Sequence, residues 1–348
     1  MTVANAAQWT RRHLIGLEEL GRQEIELVLD TAPQFLAVQQ CESGIKKVPL
    51  LQGRLVVNLF LEPSTRTRVS FELAAKRLSA DTLTFTPASS SAGKGESLHD
   101  TLANIEAMHS DIVVIRSGFA GAPAILAQRH RSHIVNAGDG AHEHPTQALL
   151  DAFTMRQHIR AMREDPGATL DGVRVAIIGD IANSRVARSN IWCLTKLGAR
   201  VTVCGPRTLM PPHVDRMGVN VTSDLREALD GADVVYALRI QLERQAVGAF
   251  PSLREYIRLF RVDNESLGGA PANALIMHPG PINRDIELAG DVADGPRSVI
   301  LEQVSNGVAV RMAVMHLLAN SPYPRPPENL IQFPRPANAP QARPEGSA

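Results

Sequence analysis

Short β-branched runs alternate with helical apolar periodicity along nearly the whole chain, and this alternation limits the fold more than any other feature. Runs at 55–61, 82–86, 111–116 and 133–136 read as strands, with helical patterns over 69–78, 98–108 and 123–129 between them. Strands separated by helical crossovers pair in parallel, which is the mark of α/β units. A helix over 17–38 precedes the first strand. A longer one follows His144-Pro145, with Leu149, Leu150, Phe153 and Met155 on its apolar side. The polar turn at 164–169 interrupts, and the pattern then restarts. Its strands fall at 173–179, 200–204, 220–222, 233–238 and 274–277, with a helix over 184–197 closed by Gly198 and a last helix over 302–318. The expectation is an α/β protein of two doubly wound parallel-sheet domains linked by helices, divided at about 160. From 321 to 348 the chain carries Pro322, Pro324, Pro326, Pro327, Pro334, Pro336, Pro340 and Pro344, a composition that predicts a disordered tail.

With 348 residues there is room for two domains that each bury a core. Lys plus Arg equal Asp plus Glu at 36 each, with no block of like charge, so a nucleic-acid or membrane surface is not expected. Cys41, Cys193 and Cys204 lie too far apart for a disulfide framework or a zinc set and read as reduced thiols of a cytoplasmic protein. No apolar run approaches the ~20 residues that span a bilayer.

Charge chemistry must therefore be local, and one turn concentrates it. The strand run Leu55-Val56-Val57 leads to Pro63, and a helix with Val69, Phe71, Leu73, Ala74 and Leu78 on its apolar side begins at once. Ser64, Thr65, Arg66, Thr67 and Arg68 thus stand at a helix N-terminus, where unpaired N–H groups and the dipole favour an anion. An S-T-x-T cap with solvated arginines is the simpler reading. Two cations in a first turn oppose the dipole, however, and a bound phosphoryl group accounts for them.

The remaining candidates also follow strands, at the carboxyl edge where open parallel sheets bind ligands. Arg116 ends one strand. Gly138-Asp-Gly-Ala-His-Glu-His-Pro-Thr-Gln147 follows the next, placing His144 at a helix mouth and Gln147 one turn in. His142 and His144 lack a third ligand at metal-site spacing, so no metal is expected. A neutral His144 donating a hydrogen bond fits the helix terminus better. In the second half, Arg185 follows one strand and Arg239-Ile-Gln241, with Arg244 beyond, follows another, a pair suited to carboxylates. Gly179-Asp-Ile-Ala-Asn-Ser lacks the G-x-G-x-x-G fingerprint, which disfavours a dinucleotide cofactor. The small-residue loop at 88–96 reads as a mobile linker carrying Lys94, and His278-Pro-Gly-Pro281 as a rigid turn.

Phe60-Leu-Glu-Pro-Ser-Thr-Arg-Thr resembles the F-x-E-x-S-T-R-T signature of the aspartate and ornithine carbamoyltransferases, and the resemblance extends over about 12–320. It implies that the last helix, at about 302–320, packs back on and completes a carbamoyl phosphate-binding domain over 1–160. A second domain over 161–300 would bind the amine. The resemblance assigns carbamoyl phosphate to Ser64, Thr65, Arg66, Thr67, Arg116, His144, Gln147 and the backbone of Gly280 and Pro281. Arg66, Thr67, Lys94, Arg116 and His144 take the catalytic roles, and no cofactor is implied. His-Pro-Gly-Pro and His-Pro-Thr-Gln replace the cysteine-containing motifs of the ornithine branch, so L-aspartate is the expected acceptor, held by Ser90, Lys94, Arg185, Arg239 and Gln241. Ser90 and Lys94 would come from a neighbouring subunit, which implies a homotrimer with shared active sites. Different branches of the family add a regulatory chain or a dihydroorotase-like subunit, and the sequence does not choose between them.

Overall fold

The computed structural model describes residues 9–42, 44–85, 97–241 and 252–322. After α1 (Arg22–Gln40) the chain forms β1 (Leu55–Phe60), α2 (Thr65–Arg77), β2 (Asp81–Phe85), α3 (Leu98–Ala107), β3 (Ile112–Ser117), α4 (Ala122–Ala127), β4 (His133–Asp139) and α5 (Pro145–Met162). The four strands pair in parallel in the order β2-β1-β3-β4. The second half gives β5 (Arg174–Ile178), α6 (Arg185–Lys196), β6 (Arg200–Cys204), β7 (Asn220–Thr222), α7 (Leu225–Leu229), β8 (Val234–Ala237), α8 (Leu253–Phe260), β9 (Leu275–Met277) and α9 (Gly290–Ala293). Its sheet is also parallel, in the order β7-β6-β5-β8-β9.

Both sheets are covered on both faces, as the near-continuous apolar strands require. Val57, Leu59, Val113 and Ile115 pack under Leu102 and Ile105 of α3 and Leu126 of α4. Ala176, Ile178, Val235 and Ile276 pack under α7, α8 and α9 through Leu229, Tyr256, Phe260 and Val292. The other two faces differ from the expectation of separate cores. Val56, Ile112 and Val114 of the first sheet and Val175, Ile177 and Val203 of the second belong to one continuous apolar core. The cause is α5, whose buried residues Ala148, Leu149, Ala152, Phe153 and Met155 leave it no solvent face over that stretch, so it packs directly on α6. The last helix, α10 (Ile300–Ala319), is buried from Gly307 to Leu318 and packs on α1, α2 and α5, closing the first layer.

The helix expected from 17 begins only at Arg22. Residues 17–20 are held open instead: the Leu17 and Glu18 N–H groups donate to the Glu143 carboxylate, and the Lys196 ammonium donates to the carbonyls of Leu17, Glu18 and Leu20. Each sheet reverses its winding once. β1 and β3 flank the reversal in the first sheet, β5 and β8 in the second, and such switch points open crevices at the strand carboxyl ends.

Candidate active site

The two crevices face one another and merge into a cleft of about 820 Å³. Ser64, Thr65, Arg66, Thr67, Arg116, His144, Gln147, Arg185, Arg239, Gln241, Gly280 and Pro281 all line it. Of the five residues 64–68 at the helix mouth, Arg68 alone is not among the cleft lining, so the turn contributes one arginine, Arg66, rather than two. Ser90, Lys94 and Arg244 lie outside the described residues.

Ser64 is the N-cap of α2 in extended geometry (φ −161°) and makes no side-chain cap bond, so the first-turn N–H groups are left without a capping acceptor. Arg66 is exposed to the open cleft, and its pKa is lowered first by partial desolvation and then by the charge of Arg239. Like charges brought together across a cleft favour a bound anion between them. Gly280 makes the approach from the opposite wall feasible: at φ 63° an added Cβ would sit 3.1 Å from the Arg66 guanidinium carbon.

Arg116 is the next-to-last residue of β3 and donates from Nη1 to the Ala137 carbonyl at 3.0 Å. His144 caps α5, with Pro145 as the first helical residue. Its backbone N–H donates to Ser189 Oγ at 2.8 Å, and the Ser189 hydroxyl donates to Glu143 Oε2 at 2.7 Å. Burial, and then the charges of Arg116, Arg311 and Arg185, hold the His144 pKa well below its ordinary value. The ring is neutral at physiological pH and can donate one N–H to a developing oxyanion. Gln147 Nε2 donates to Asp151 Oδ1 at 3.0 Å.

From the second sheet, Arg185 opens α6 and is buried. Both its terminal nitrogens donate to Glu62 Oε2 at 3.1 Å, and Nη1 also reaches the Gly140 carbonyl at 3.2 Å. Glu62 Oε2 lies 3.6 Å from Arg116 Nε as well, so this carboxylate ties the two layers together beside the cleft. Gln241 Nε2 donates to the Asn183 carbonyl at 3.1 Å. His278 accepts from the Gly280 N–H at Nδ1 (2.8 Å), which leaves Nε2–H to donate to Glu287 Oε1 at 3.1 Å. That pair pins the turn carrying Gly280 and Pro281.

Sequence reasoning passed over several cleft residues. Glu62 stands inside the motif, but nothing local says that its partner is 123 residues away. Gln303 and Arg311 come from α10. Arg311 is buried with its guanidinium carbon 4.9 Å from the Phe71 ring centre, and burial pulls its pKa down to about 10. The fold also gives His142 neighbours that spacing hides: Glu18 and Glu143 approach it with ligand atoms within 4.8 Å of one another. The Glu143 oxygens already accept from two backbone N–H groups and Ser189, and His142 Nδ1 is paired with Asp139 at 3.0 Å. Those bonds account for the group as a brace for residues 17–20.

A family model described as the carbamoyl-phosphate-binding domain of aspartate/ornithine carbamoyltransferase matches residues 12–157, and the companion Asp/Orn-binding domain matches 171–318. The chain belongs to the aspartate/ornithine carbamoyltransferase family. The aspartate carbamoyltransferase catalytic subunit of Opitutus terrae is 53% identical over 92% of this chain and 98% of its own length. Among solved structures, aspartate transcarbamoylase from Trypanosoma cruzi in complex with carbamoyl phosphate and aspartate is similar with a TM-score of 0.78 at 30% identity, covering 90% of this chain and 98% of that one. Ornithine carbamoyltransferase from Pyrococcus furiosus gives 0.76 at 29% identity, covering 88% and 97%. Backbone similarity is thus shared by both branches of the family, and the choice of amine rests on side chains.

Proposed function

We propose that the protein transfers the carbamoyl group of carbamoyl phosphate to the α-amine of L-aspartate, giving N-carbamoyl-L-aspartate and phosphate, the committed chemistry of pyrimidine formation. The observation that carries this reading is the meeting of Arg66, Arg116, Arg185 and Arg239 on one cleft with a buried neutral histidine between them. Two anionic reactants fit such a site, and a cationic amine does not. High identity to aspartate-specific relatives supports the same choice.

In this reading the phosphate of carbamoyl phosphate sits at the start of α2 on the Ser64, Thr65 and Thr67 groups and on Arg66. The carbamoyl oxygen is held by Thr67, Arg116 and His144, and the Gln147 side-chain carbonyl accepts from the carbamoyl nitrogen. Arg185 takes the α-carboxylate of aspartate; Arg239 and Gln241 take the side-chain carboxylate. Carbonyls at Gly280 and Pro281 accept from the carbamoyl N–H groups and from the amine. Attack of the amine on the carbamoyl carbon builds negative charge on its oxygen, which those fixed donors stabilise; one such donor is typically worth ~10²–10³ in turnover. The departing phosphate accepts the amine proton, so neither a protein nucleophile nor a cofactor is required. Fixing both anions in register supplies much of the remaining acceleration.

The reading extends to a cytoplasmic homotrimer in which Ser90 and Lys94 complete the cleft of a neighbouring copy, as the family resemblance implies. Cys41, Cys193 and Cys204 are free thiols, in keeping with a reducing compartment. No helix among the described residues is long and apolar enough to cross a membrane. Purified protein given labelled carbamoyl phosphate should form product with L-aspartate and none with L-ornithine; the reverse pattern would overturn the assignment. Mixing separately inactive Lys94→Ala and Arg116→Ala chains after mild dissociation should restore part of the activity. Absence of restoration would refute shared sites.

A further inference from the structure

Asp151 lies behind the cleft floor rather than in it. It is fully buried on α5 and accepts four hydrogen bonds from four elements. Oδ1 takes Nε2 of Gln147 on the same helix (3.0 Å) and Nε2 of Gln303 on α10 (2.7 Å). Oδ2 takes Nδ2 of Asn190 on α6 (2.9 Å) and the hydroxyl of Tyr236 on β8 (2.7 Å). One oxygen thus serves the two glutamines that line the cleft, and the other serves the second sheet layer. Gln303 continues the chain, because its Oε1 accepts the His278 N–H at 3.1 Å and so reaches the turn that carries Gly280 and Pro281.

An ionised carboxylate only accepts. A side-chain amide can turn end for end at little cost unless its surroundings distinguish oxygen from nitrogen. Gln147 is such an amide, and its nitrogen faces Asp151 and the Tyr236 hydroxyl. We infer that Asp151 is a positioning residue for the proposed reaction: by accepting only, it turns the Gln147 and Gln303 nitrogens backward and leaves the Gln147 carbonyl oxygen facing the carbamoyl nitrogen. Burial raises the Asp151 pKa to about 6 and the four donors oppose the rise, so the group is ionised at neutral pH. The titratable groups around it fit that state. Tyr236 is held well above its ordinary pKa and remains a donor, Cys193 on α6 is raised to a neutral thiol, and the cationic Arg311 on α10 faces it.

This inference rests on the proposed reaction, and the test separates the two. Asp151→Asn keeps the shape but offers one oxygen and one NH₂, so the Gln147 amide can reverse and present N–H to the carbamoyl N–H. In the carbamoyl phosphate plus L-aspartate assay, kcat should fall about 10- to 100-fold, the range expected for a misplaced reacting-site group. KM for aspartate should stay within about twofold, since Arg185, Arg239 and Gln241 are untouched. The double variant Asp151→Asn/Gln147→Ala should lose clearly less than the product of the two single losses, because Asp151 acts in large part through Gln147. Asn190→Ala, which removes the Asn190 bond to Oδ2 and no bond of Gln147, should lower Tm and leave kcat within about twofold. Wild-type kcat in Asp151→Asn would overturn the inference, and so would multiplicative losses in the double variant or an Asn190→Ala loss as large as that of Asp151→Asn. If Asp151→Asn does not fold, Gln303→Ala carries the test: a loss of about tenfold or more supports the clamp, and wild-type turnover overturns it. An inactive wild-type protein would defeat the proposed reaction itself, whereas an active wild type with an unaffected Asp151→Asn defeats only the positioning role.

Discussion

Adding one methyl group at Gly138 should disable the cleft by displacing two arginines assigned to substrate without replacing either of them. Gly138 is the next-to-last residue of β4 and sits at φ 116°, a conformation that L side chains rarely adopt. A Cβ there would stand 2.9 Å from Arg185 Nε, 3.0 Å from its guanidinium carbon and 3.2 Å from Arg116 Nη1. Comfortable heavy-atom contacts lie at roughly 3.5 Å, so both arginines must retreat by about 0.3–0.6 Å. Arg185 cannot retreat freely, because the Glu62 and Gly140 acceptors hold it at 3.1–3.2 Å. The backbone itself adds strain of roughly 1–3 kcal/mol. Gly138→Ala should therefore fold with a lowered Tm, and its kcat/KM for aspartate should fall at least about tenfold and up to ~10²-fold, as for other small displacements of binding groups. Circular dichroism melts paired with steady-state kinetics make the comparison. A folded Gly138→Ala protein with kcat/KM within about twofold of wild type would refute the claim that Arg116 and Arg185 are fixed against this backbone.

Further outcomes follow from the same geometry. Arg116→Ala should cut kcat by at least about 10²-fold, the worth of one oxyanion donor, in a protein of unchanged assembly mass. Arg239→Ala should act mainly on the aspartate KM, and an unchanged KM would exclude it from carboxylate binding. Thermal stability should fall as pH is lowered from 7 toward 5. His13, pushed down to about 3 mainly by burial, and His144, His278 and His316, also lowered by burial, stay neutral when folded but take a proton from about pH 6.5 downward when unfolded. Stability from such groups is present above the unfolded pKa and lost below it, at up to about 1.4 kcal/mol per pH unit for each. Asp151, Glu143 and His142 have raised values and oppose the trend, Asp151 chiefly between 3.8 and about 6. A Tm that is flat or rising between pH 7 and 5 would show that the histidines are not buried neutral.

Much of this site was legible because its signals are local. The β run, Pro63 and an apolar helix face place Ser64–Arg68 at a helix mouth without any tertiary information, and Arg116, Arg185 and Arg239 are flagged by strand ends alone. The sheet order then brings these ends together at two switch points. What could not be read is carried by partners distant in sequence. Asp151 looks like one more polar residue on an amphipathic helix until Gln303, 152 residues later, donates to it. Glu62 and Arg185 are likewise unrelated until the layers close. Residues 17–20 carry a helical pattern, but Glu143 and Lys196 occupy their backbone groups and delay α1 to Arg22. By contrast α8 had a local signal that went unused: Ser252 accepts from the Glu255 N–H, a Ser-x-x-Glu start before an apolar face that ends in buried Tyr256 and Phe260.

The claim on which everything depends is that cations from two sheet edges converge on two joined anions. A crystal structure with a bisubstrate analogue, a phosphonate linked through an amide to L-aspartate, tests it most directly. The phosphonate should lie at the first turn of α2 against Arg66, the amide oxygen between Arg116 and His144, and the two carboxylates on Arg185 and on Arg239 with Gln241. A phosphonate bound away from that turn, or carboxylates that leave Arg185 and Arg239 without contact, would contradict the account.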